Sequence, residues 1–324
     1  IRLDDLDLAG AEVCLSGVIG RHPDNAAARR NRAQLLLLQG QFKQGWIDFD
    51  YRFQTGTREH YPVDTLWRGE PIGDKKLLIH FEQGLGDTVM FSRFLPHVQA
   101  LCGELIFKCQ PTLINLLRQS FPNIESVAEG DAPGDFDVHL PLLSLGERLG
   151  LDESNLPGNH PYLVATGRAS LPDSGRLRVG LAWAGNPHHK KDATRSIAWE
   201  QFATLTGLDD IDYICLQVGP RAEDCRGSGV ISLGDQLSDC AATAAVIGQL
   251  DLVITVDTAV AHLAGALGKP TWVLVSTVPD WRWQLNRADS PWYPTVKLYR
   301  QRTREEGWPA TLERVKHDLA KRLA

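Results

Sequence analysis

The 324-residue sequence has little of what marks several common protein classes. Its six cysteines, at positions 14, 102, 109, 215, 225 and 240, form no Cys-x-x-Cys pair and no run with metal-ligand spacing. That excludes a disulfide frame and predicts buried thiols of a reducing compartment. Neither sign of charge dominates: 34 Lys and Arg against 40 Asp and Glu leave a formal net charge of −6, so no whole-molecule electrostatic case exists for nucleic acid or an anionic membrane. No apolar run is long enough to span a bilayer. The most apolar region, Leu250 to Val278, is broken by Asp251, Asp257, His262, Lys269 and Pro270. No secretory leader opens the chain, and the expected location is cytoplasmic. The chain starts at Ile1 rather than Met, which suggests trimming; any targeting segment would have gone with the missing part.

What is present is ordinary globular material. The chain is 43% hydrophobic and 23% charged, with 29 Gly and 18 Pro. This composition excludes collagen-like, mucin-like and disordered chains, and the length suits about two domains at the usual figure of roughly 150 residues each.

Residues 1–60 read as helical and self-similar. A shift of 34 places Ala11 over Gly45, Glu12 over Trp46 and Leu15 over Phe49, and Pro23 falls just before the next unit, Asn25 to Phe53. A small residue lets two helices approach closely, while the large apolar residue four positions on fills the groove beside it. This period and spacing resemble the tetratricopeptide repeat, with an ordinary helical hairpin as the alternative. A stack this short cannot bury its own faces, so the helices either lean on the next domain or continue upstream.

From Lys75 the pattern alternates short apolar runs with amphipathic helices. Expected strands are Lys76 to Phe81, Glu104 to Cys109, Ile124 to Val127 and Asp137 to Leu140, with helices at Thr88 to Leu101 and Thr112 to Ser120. A Pro- and Gly-bearing stretch, Asn155 to Gly175, reads as a linker. A second series follows, with strands Arg178 to Trp183, Tyr213 to Val218, Leu252 to Val256 and Thr271 to Val275. Its helices are Ile197 to Leu205, Cys240 to Leu250 and Val260 to Leu267, and a last helix spans Leu312 to Leu323. The reading is α/β: two Rossmann-like domains, 75–165 and 176–280, after an all-α segment (1–60) and before a helical extension (281–324). In such folds ligands lie at the carboxyl ends of the strands.

Three turns follow expected strands and carry candidate chemistry. Gly84-Leu85-Gly86-Asp87 allows a tight turn, yet lacks G-x-G-x-x-G spacing and the Lys-Ser/Thr of a P-loop. Its carboxylate suits a base facing a cleft, or an N-cap for the helix at Thr88. Asp257-Thr258 opens the helix that carries His262; backbone N–H groups and a hydroxyl there suit a diphosphate, with capping and a satisfied buried histidine as alternatives. Trp183-Ala184-Gly185-Asn186 is followed by His188, His189, Lys190, Lys191, Arg195 and Ser196, cations that suit a nucleotide diphosphate or form a solvated loop. Gln217, at the end of the next strand, is a candidate for a base or ribose. Asp48-Phe49-Asp50 and Asp135-Phe136-Asp137 mimic a metal-binding D-x-D without supporting context. His188-His189 lacks a zinc partner, and no G-x-S-x-G elbow is present.

The segments Phe81 to Pro96, Val179 to Pro187, Thr194 to Ile197 and Asp251 to Leu274 resemble glycosyltransferase family 9, the ADP-heptose:lipopolysaccharide heptosyltransferases. Within it they look most like the bacterial branch with preceding tetratricopeptide repeats. The resemblance covers Leu77 to the C-terminus. It implies a GT-B fold, an inverting reaction without cofactor or metal, and a nucleotide-sugar donor held mainly by the C-terminal half. It further implies Asp87 as general base, with Gly84 and Gly86 in its loop. Trp183, Asn186, Arg195, Ser196, Gln217, Asp257, Thr258 and His262 are the expected donor-binding set, and Asp257, Thr258 and His262 match the family's donor-binding turn. Ala259 and Arg195 stand where the family commonly has Gly and Lys. The repeat-plus-GT-B outline is also similar to O-linked N-acetylglucosamine transferases. The expected partners are a nucleotide sugar and a protein, peptide or glycan acceptor, with neither nucleic acid nor a membrane span. A non-catalytic scaffold that senses a nucleotide sugar is the alternative.

Overall fold

The structure is a computed structural model that describes residues 7–55, 61–157 and 160–323. Residues 1–6 and 56–60 of the expected helical segment, and Gly158 and Asn159 of the expected linker, lie outside the described residues. The chain divides into two compact units. Unit 1 comprises Ile1–Ile114, Phe121–Gly158 and Val278–Asn286; unit 2 comprises Asn115–Ser120, Asn159–Thr277 and Arg287–Ala324. The stretch 281–324, read from sequence as one extension, is thus split between them.

Three helices open unit 1: α1 (Leu8–Arg21), α2 (Ala26–Leu38) and α3 (Phe42–Phe49). Asp7 and Asn25 cap the first two, each side chain accepting a backbone N–H at 2.9 Å. Gly45 of α3 lies against α2 so closely that a Cβ would fall 2.7 Å from Leu37 Cγ, which is the close approach expected of the small residue. Ala11, Leu15 and Ile19 pack on Ala28 and Leu35. Of the two ways to cover this short stack, the structure shows the helices leaning on the rest of their own unit. Trp46 sits edge-on to Phe91 and Trp281, and its indole N–H donates to the Leu151 carbonyl at 3.1 Å. A Cβ on Gly146 would lie 2.5 Å from the Trp46 ring, so only glycine leaves room for the indole.

The remainder of the first α/β series contains β1 (Lys76–His80), α4 (Leu85–Phe91), α5 (Leu95–Gln99), β2 (Glu104–Cys109), α6 (Ile114–Ser120), β3 (Glu125–Ala128), β4 (Val138–Pro141) and α7 (Leu145–Arg148). The strands form a parallel sheet in the order β3-β2-β1-β4. The helix expected at Thr88 to Leu101 starts three residues earlier and is interrupted by a 3-10 turn at Ser92–Phe94. Pro96, in the first turn of α5, has no N–H to continue the ladder, so a new helix starts there.

The second series contains β5 (Leu177–Ala182), α8 (Asp192–Arg195), α9 (Trp199–Phe202), β6 (Ile211–Cys215), α10 (Cys240–Ile247), β7 (Leu252–Val256), α11 (Ala259–Ala266), β8 (Thr271–Val275), β9 (Val296–Arg300) and α12 (Pro309–Leu323). Its sheet is parallel, in the order β6-β5-β7-β8-β9. Taken along its own chain this is 2-1-3-4-5, which reverses direction between β5 and β7; ligands of doubly wound folds bind outside the strand ends at that point. Leu312, Val315 and Leu319 of α12 line up at helical spacing and join a core with Trp183, Trp199 and Phe202. Strand β9 was not among the expected strands. It is a five-residue edge strand beside β8, with only Lys297 exposed among its residues, and a short run after a tryptophan-rich loop carries little periodic signal.

Burial of the cysteines is mixed. Cys109, Cys215 and Cys225 are buried, Cys102 and Cys240 half-buried and Cys14 exposed, all as free thiols. The expectation of uniformly buried thiols is corrected to that extent, because Cys14 points off the outer face of α1.

Candidate active site

In unit 1, the candidate base stands where β1 turns into α4. Gly84 is the extended N-cap of α4, which makes Asp87 the third helical residue rather than the cap of a helix at Thr88. Asp87 Oδ2 reaches back to accept the Gly84 N–H at 2.9 Å, the return limb of a capping box. Its Oδ1 pairs with Arg282 Nη2. Arg282 is in turn held by Asp280 Oδ1 at 2.5 Å and lies over the Trp281 ring at 4.3 Å. Burial pushes the Asp87 carboxyl above its ordinary range; Arg282 pulls it back, and the nearby charge of Asp280 adds to the rise. Gly84 is exposed and Gly86 half-buried in the first turn.

A second ionic cluster fixes the segment that leads into this turn. Glu82 takes a bidentate pair from Arg52, at 2.6 and 2.8 Å, and accepts the Leu143 N–H at 3.1 Å. Arg52 also pairs with Asp50 at 2.5 Å and lies over the Phe53 ring at 4.0 Å. Asp48 is fully buried between Arg29 and Arg32. These pairs explain Asp48-Phe49-Asp50 as structure. Asp137 likewise accepts the Lys76 N–H at 2.8 Å at the head of β1. Among the described residues, no group of three or more His, Cys, Asp and Glu is placed to hold a metal ion.

In unit 2, the loop after β5 and the start of α11 meet at the topological switch point. Asp192 organises the loop. It is buried, accepts from the Ser196 hydroxyl at 2.7 Å and from Arg221 at 2.8 Å, and lies 3.7 Å from Arg195 Nε. Ser196 Oγ accepts the Gly185 N–H at 3.0 Å. Arg195 Nη1 donates to the Asp257 carbonyl at 3.0 Å, so the two turns predicted separately are joined by one side chain. The buried Nε of the same guanidinium has no hydrogen-bond partner. Gly185 is where that guanidinium rests: a Cβ would lie 2.5 Å from Arg195 Nη2. Thr258 is the N-cap of α11, its hydroxyl accepting the Val260 N–H at 3.3 Å, and the helix presents its positive end there.

A cavity of about 340 Å³ opens beyond the end of β6, lined by Cys215, Gln217, Gly219, Glu223, Leu233 and Leu237 among others. That is the lower end of the range for small-molecule sites, roughly 300–1,000 Å³. Strand β6 stops at Cys215 rather than Val218, so Gln217 lies in the loop. Its amide oxygen accepts the Ala184 N–H at 3.0 Å, which ties the cavity wall to the end of β5.

Three expected site residues stand elsewhere. Trp183 is fully buried, packed on Trp199 at 4.5 Å, with its indole N–H directed at Asp224; it belongs to the core of unit 2 because strand β5 ends just before it with its apolar face inward. His262 is 4% exposed and shares a 2.9 Å hydrogen bond with Tyr293, an interior position rather than one at the mouth of the helix. Asn186 is exposed and closes its own turn, accepting the His188 N–H at 3.0 Å; His188 to Lys191 are exposed as well. Sequence reading missed Arg282, Asp280, Asp192 and Arg221. Only the tryptophans around Arg282 drew notice, and no local pattern links it to a carboxylate 195 positions away.

The architecture is that of an α/β protein with two parallel sheets, and comparison with known proteins narrows it. Residues 238–305 match the model of glycosyltransferase family 9 (heptosyltransferase). The chain is similar to a glycosyl transferase family 9 structure from Veillonella parvula (13% identity, 75% of this chain and 91% of that chain, TM-score 0.50). It is also similar to E. coli heptosyltransferase WaaC with ADP-2-deoxy-2-fluoro heptose (14% identity, 76% and 99%, TM-score 0.51). At these identities the likeness is one of fold. Among curated proteins the chain is 28% identical over 339 residues to Protein FlbA of Caulobacter vibrioides, a match that takes in 91% of this chain and spans about half (55%) of that relative. The family match supports a glycosyltransferase, and the structural neighbours share the fold. No helix among the described residues is long and apolar enough to cross a membrane.

Proposed function

We propose that the protein transfers a sugar from a nucleotide-diphosphate donor to an acceptor hydroxyl with inversion and without a metal. Unit 2 takes the donor. Arg195 and the amino end of α11 face the diphosphate, and the cavity beside Gln217 takes the nucleoside. The observation that carries this reading is Arg195: a guanidinium bonded to the Asp257 carbonyl stands at the switch point of a parallel sheet.

Asp87 is the proposed general base. It accepts the proton of the acceptor hydroxyl as that oxygen bonds to the anomeric carbon; the carbon–oxygen bond to the diphosphate breaks, and the leaving group departs with the electron pair. A carboxyl raised by burial is a stronger base than an exposed one. The leaving diphosphate is stabilised by Arg195 and the helix dipole in place of a metal. The sugar is of the hexose or heptose type, and the acceptor is a protein, peptide or glycan presented by the tetratricopeptide-like helices, in the cytoplasm.

Asp87→Asn tests the reading. Calorimetry should show unchanged donor binding, while nucleoside diphosphate release falls about 10²- to 10⁴-fold, the usual contribution of a general base. Equal turnover in mutant and parent would remove Asp87 from the mechanism; absence of turnover in both would favour a nucleotide-sugar-sensing scaffold.

A further inference from the structure

The segment Val278–Asn286 belongs to unit 1 although the rest of that unit ends at Gly158, and it brings one guanidinium to the candidate base, 195 positions away in sequence. We propose that Arg282 is the positioning residue of Asp87, fixing the carboxylate so that a single oxygen edge is offered to the acceptor hydroxyl. The proposal rests on the reading of Asp87 as the base and adds a residue to it.

The arrangement is built and not incidental. Arg282 is buried, and its guanidinium is held by Asp280 through Nη1 at 2.5 Å and by Asp87 through Nη2, and lies over the Trp281 ring at 4.3 Å. The Asp280 carboxylate also caps the turn that carries the arginine, accepting the Arg282 N–H at 3.1 Å. The turn closes on Gln284, a buried non-glycine residue at φ +52° and ψ −164°, in a region that side chains other than glycine rarely occupy. Such a conformation persists where its surroundings over-determine it, and these sites cluster at functional places. Trp281 in turn is wedged against Trp46 and Phe49, so the helical segment supports the turn from behind.

Asp87 has two oxygens and two fixed partners. Oδ2 is held by the Gly84 N–H and Oδ1 by Arg282, which leaves the remaining lone pairs of a locked carboxylate to accept a proton. The charged groups acting on it are Arg282, Asp280 and Glu82, the last neutralised by its bidentate pair with Arg52. Arg282 divides its charge between two carboxylates. Asp280 therefore works against Arg282 on Asp87, and the two should be separable by mutation.

The test is a ¹³C NMR titration of aspartate-labelled full chain, with the Asp87 signal assigned by its loss in Asp87→Asn. Relative to parent, Arg282→Met should raise the Asp87 midpoint by at least one pH unit, and Arg282→Lys should restore part of it. Asp280→Asn, which keeps the cap, should lower it. If Arg282→Met does not fold by circular dichroism, the opposite shift in Asp280→Asn decides. Unchanged midpoints in the folded variants would overturn the proposal. None of these readouts needs turnover, so failure here is distinct from failure of the transferase reading. Where donor hydrolysis is measurable with an ADP-, GDP- or UDP-sugar, Arg282→Met should lower kcat with donor KM unchanged and move the acid limb of the pH profile upward. A loss confined to KM would also overturn it.

Discussion

Substituting Gly185 by alanine separates binding from folding in unit 2. The new Cβ would stand 2.5 Å from Arg195 Nη2 and 2.7 Å from Cζ and Nε. These atoms end a flexible side chain, and Gly185 does not use the left-handed backbone region, so the backbone accepts alanine and the guanidinium moves instead. The displacement removes the bond to the Asp257 carbonyl and takes the positive charge away from the start of α11. A hydrogen bond to a charged group is worth about 1.5–3 kcal/mol, so affinity for a nucleoside diphosphate should fall about 10- to 150-fold. Stability changes less, because alanine restricts the unfolded chain by about 0.4–1 kcal/mol and offsets part of the loss. The assay is calorimetry with whichever of ADP, GDP and UDP binds the parent, beside a thermal melt. Arg195→Met should show a similar loss, and the double mutant no more than either single one, since both act through one contact. Gly185→Ala binding with parental affinity while folded would refute the role given to Arg195.

Other outcomes follow from the same geometry. Trp46→Ala empties a site bounded by Phe42, Phe49, Phe91 and Trp281 and should cost about 3–5 kcal/mol, read by urea denaturation; early proteolysis within 7–55 would show the helices undocking first. Removing Arg52 alone leaves Glu82 buried and uncompensated, a loss of about 3–5 kcal/mol, whereas the double change Arg52→Met with Glu82→Met should be milder. Asp87, raised by burial, binds its proton more tightly folded than unfolded. Its contribution to stability is therefore full below the unfolded value and is lost as pH rises through the folded one. The melting temperature of Asp87→Asn relative to parent should rise between pH 4 and pH 7, and the acid limb of parental turnover should lie above about 3.9, the value of a free aspartate. Burial pushes the Cys215 thiol up to about 12, so iodoacetamide at pH 8 should modify exposed Cys14 well before Cys215, as mass spectrometry would show.

Much of the fold was legible because its signals are local. Strands Leu252–Val256 and Thr271–Val275 are continuous apolar runs buried on both faces, and their ends were read where they lie. Gly45 and Phe49 declared a close helix pair through size alone. Helix starts were harder to read: α4 begins at Leu85 because Gly84 and Asp87 form a reciprocal cap, which the glycines masked as a loop. In the candidate site, Arg195 and Thr258 were legible as candidates because both follow strands at the carboxyl edge, and the structure sets them in adjoining turns. Trp183 and His262 were expected at the ligand from their place in the chain, but each strand or helix end has an inward side, and residue type does not tell which side a given position takes. Arg282 acts through a contact 195 positions away and Asp192 reaches Arg221 29 positions on, and periodicity carries no record of such pairs.

The central claim is that Arg195 and the start of α11 hold a nucleoside diphosphate. Its most direct test is a thermal-shift and calorimetric screen of parent and Arg195→Met against ADP-, GDP- and UDP-sugars. A large shift of the parent with one nucleotide class, lost in Arg195→Met, is the predicted result; no shift of the parent with any of them, or an equal shift in both proteins, would contradict it.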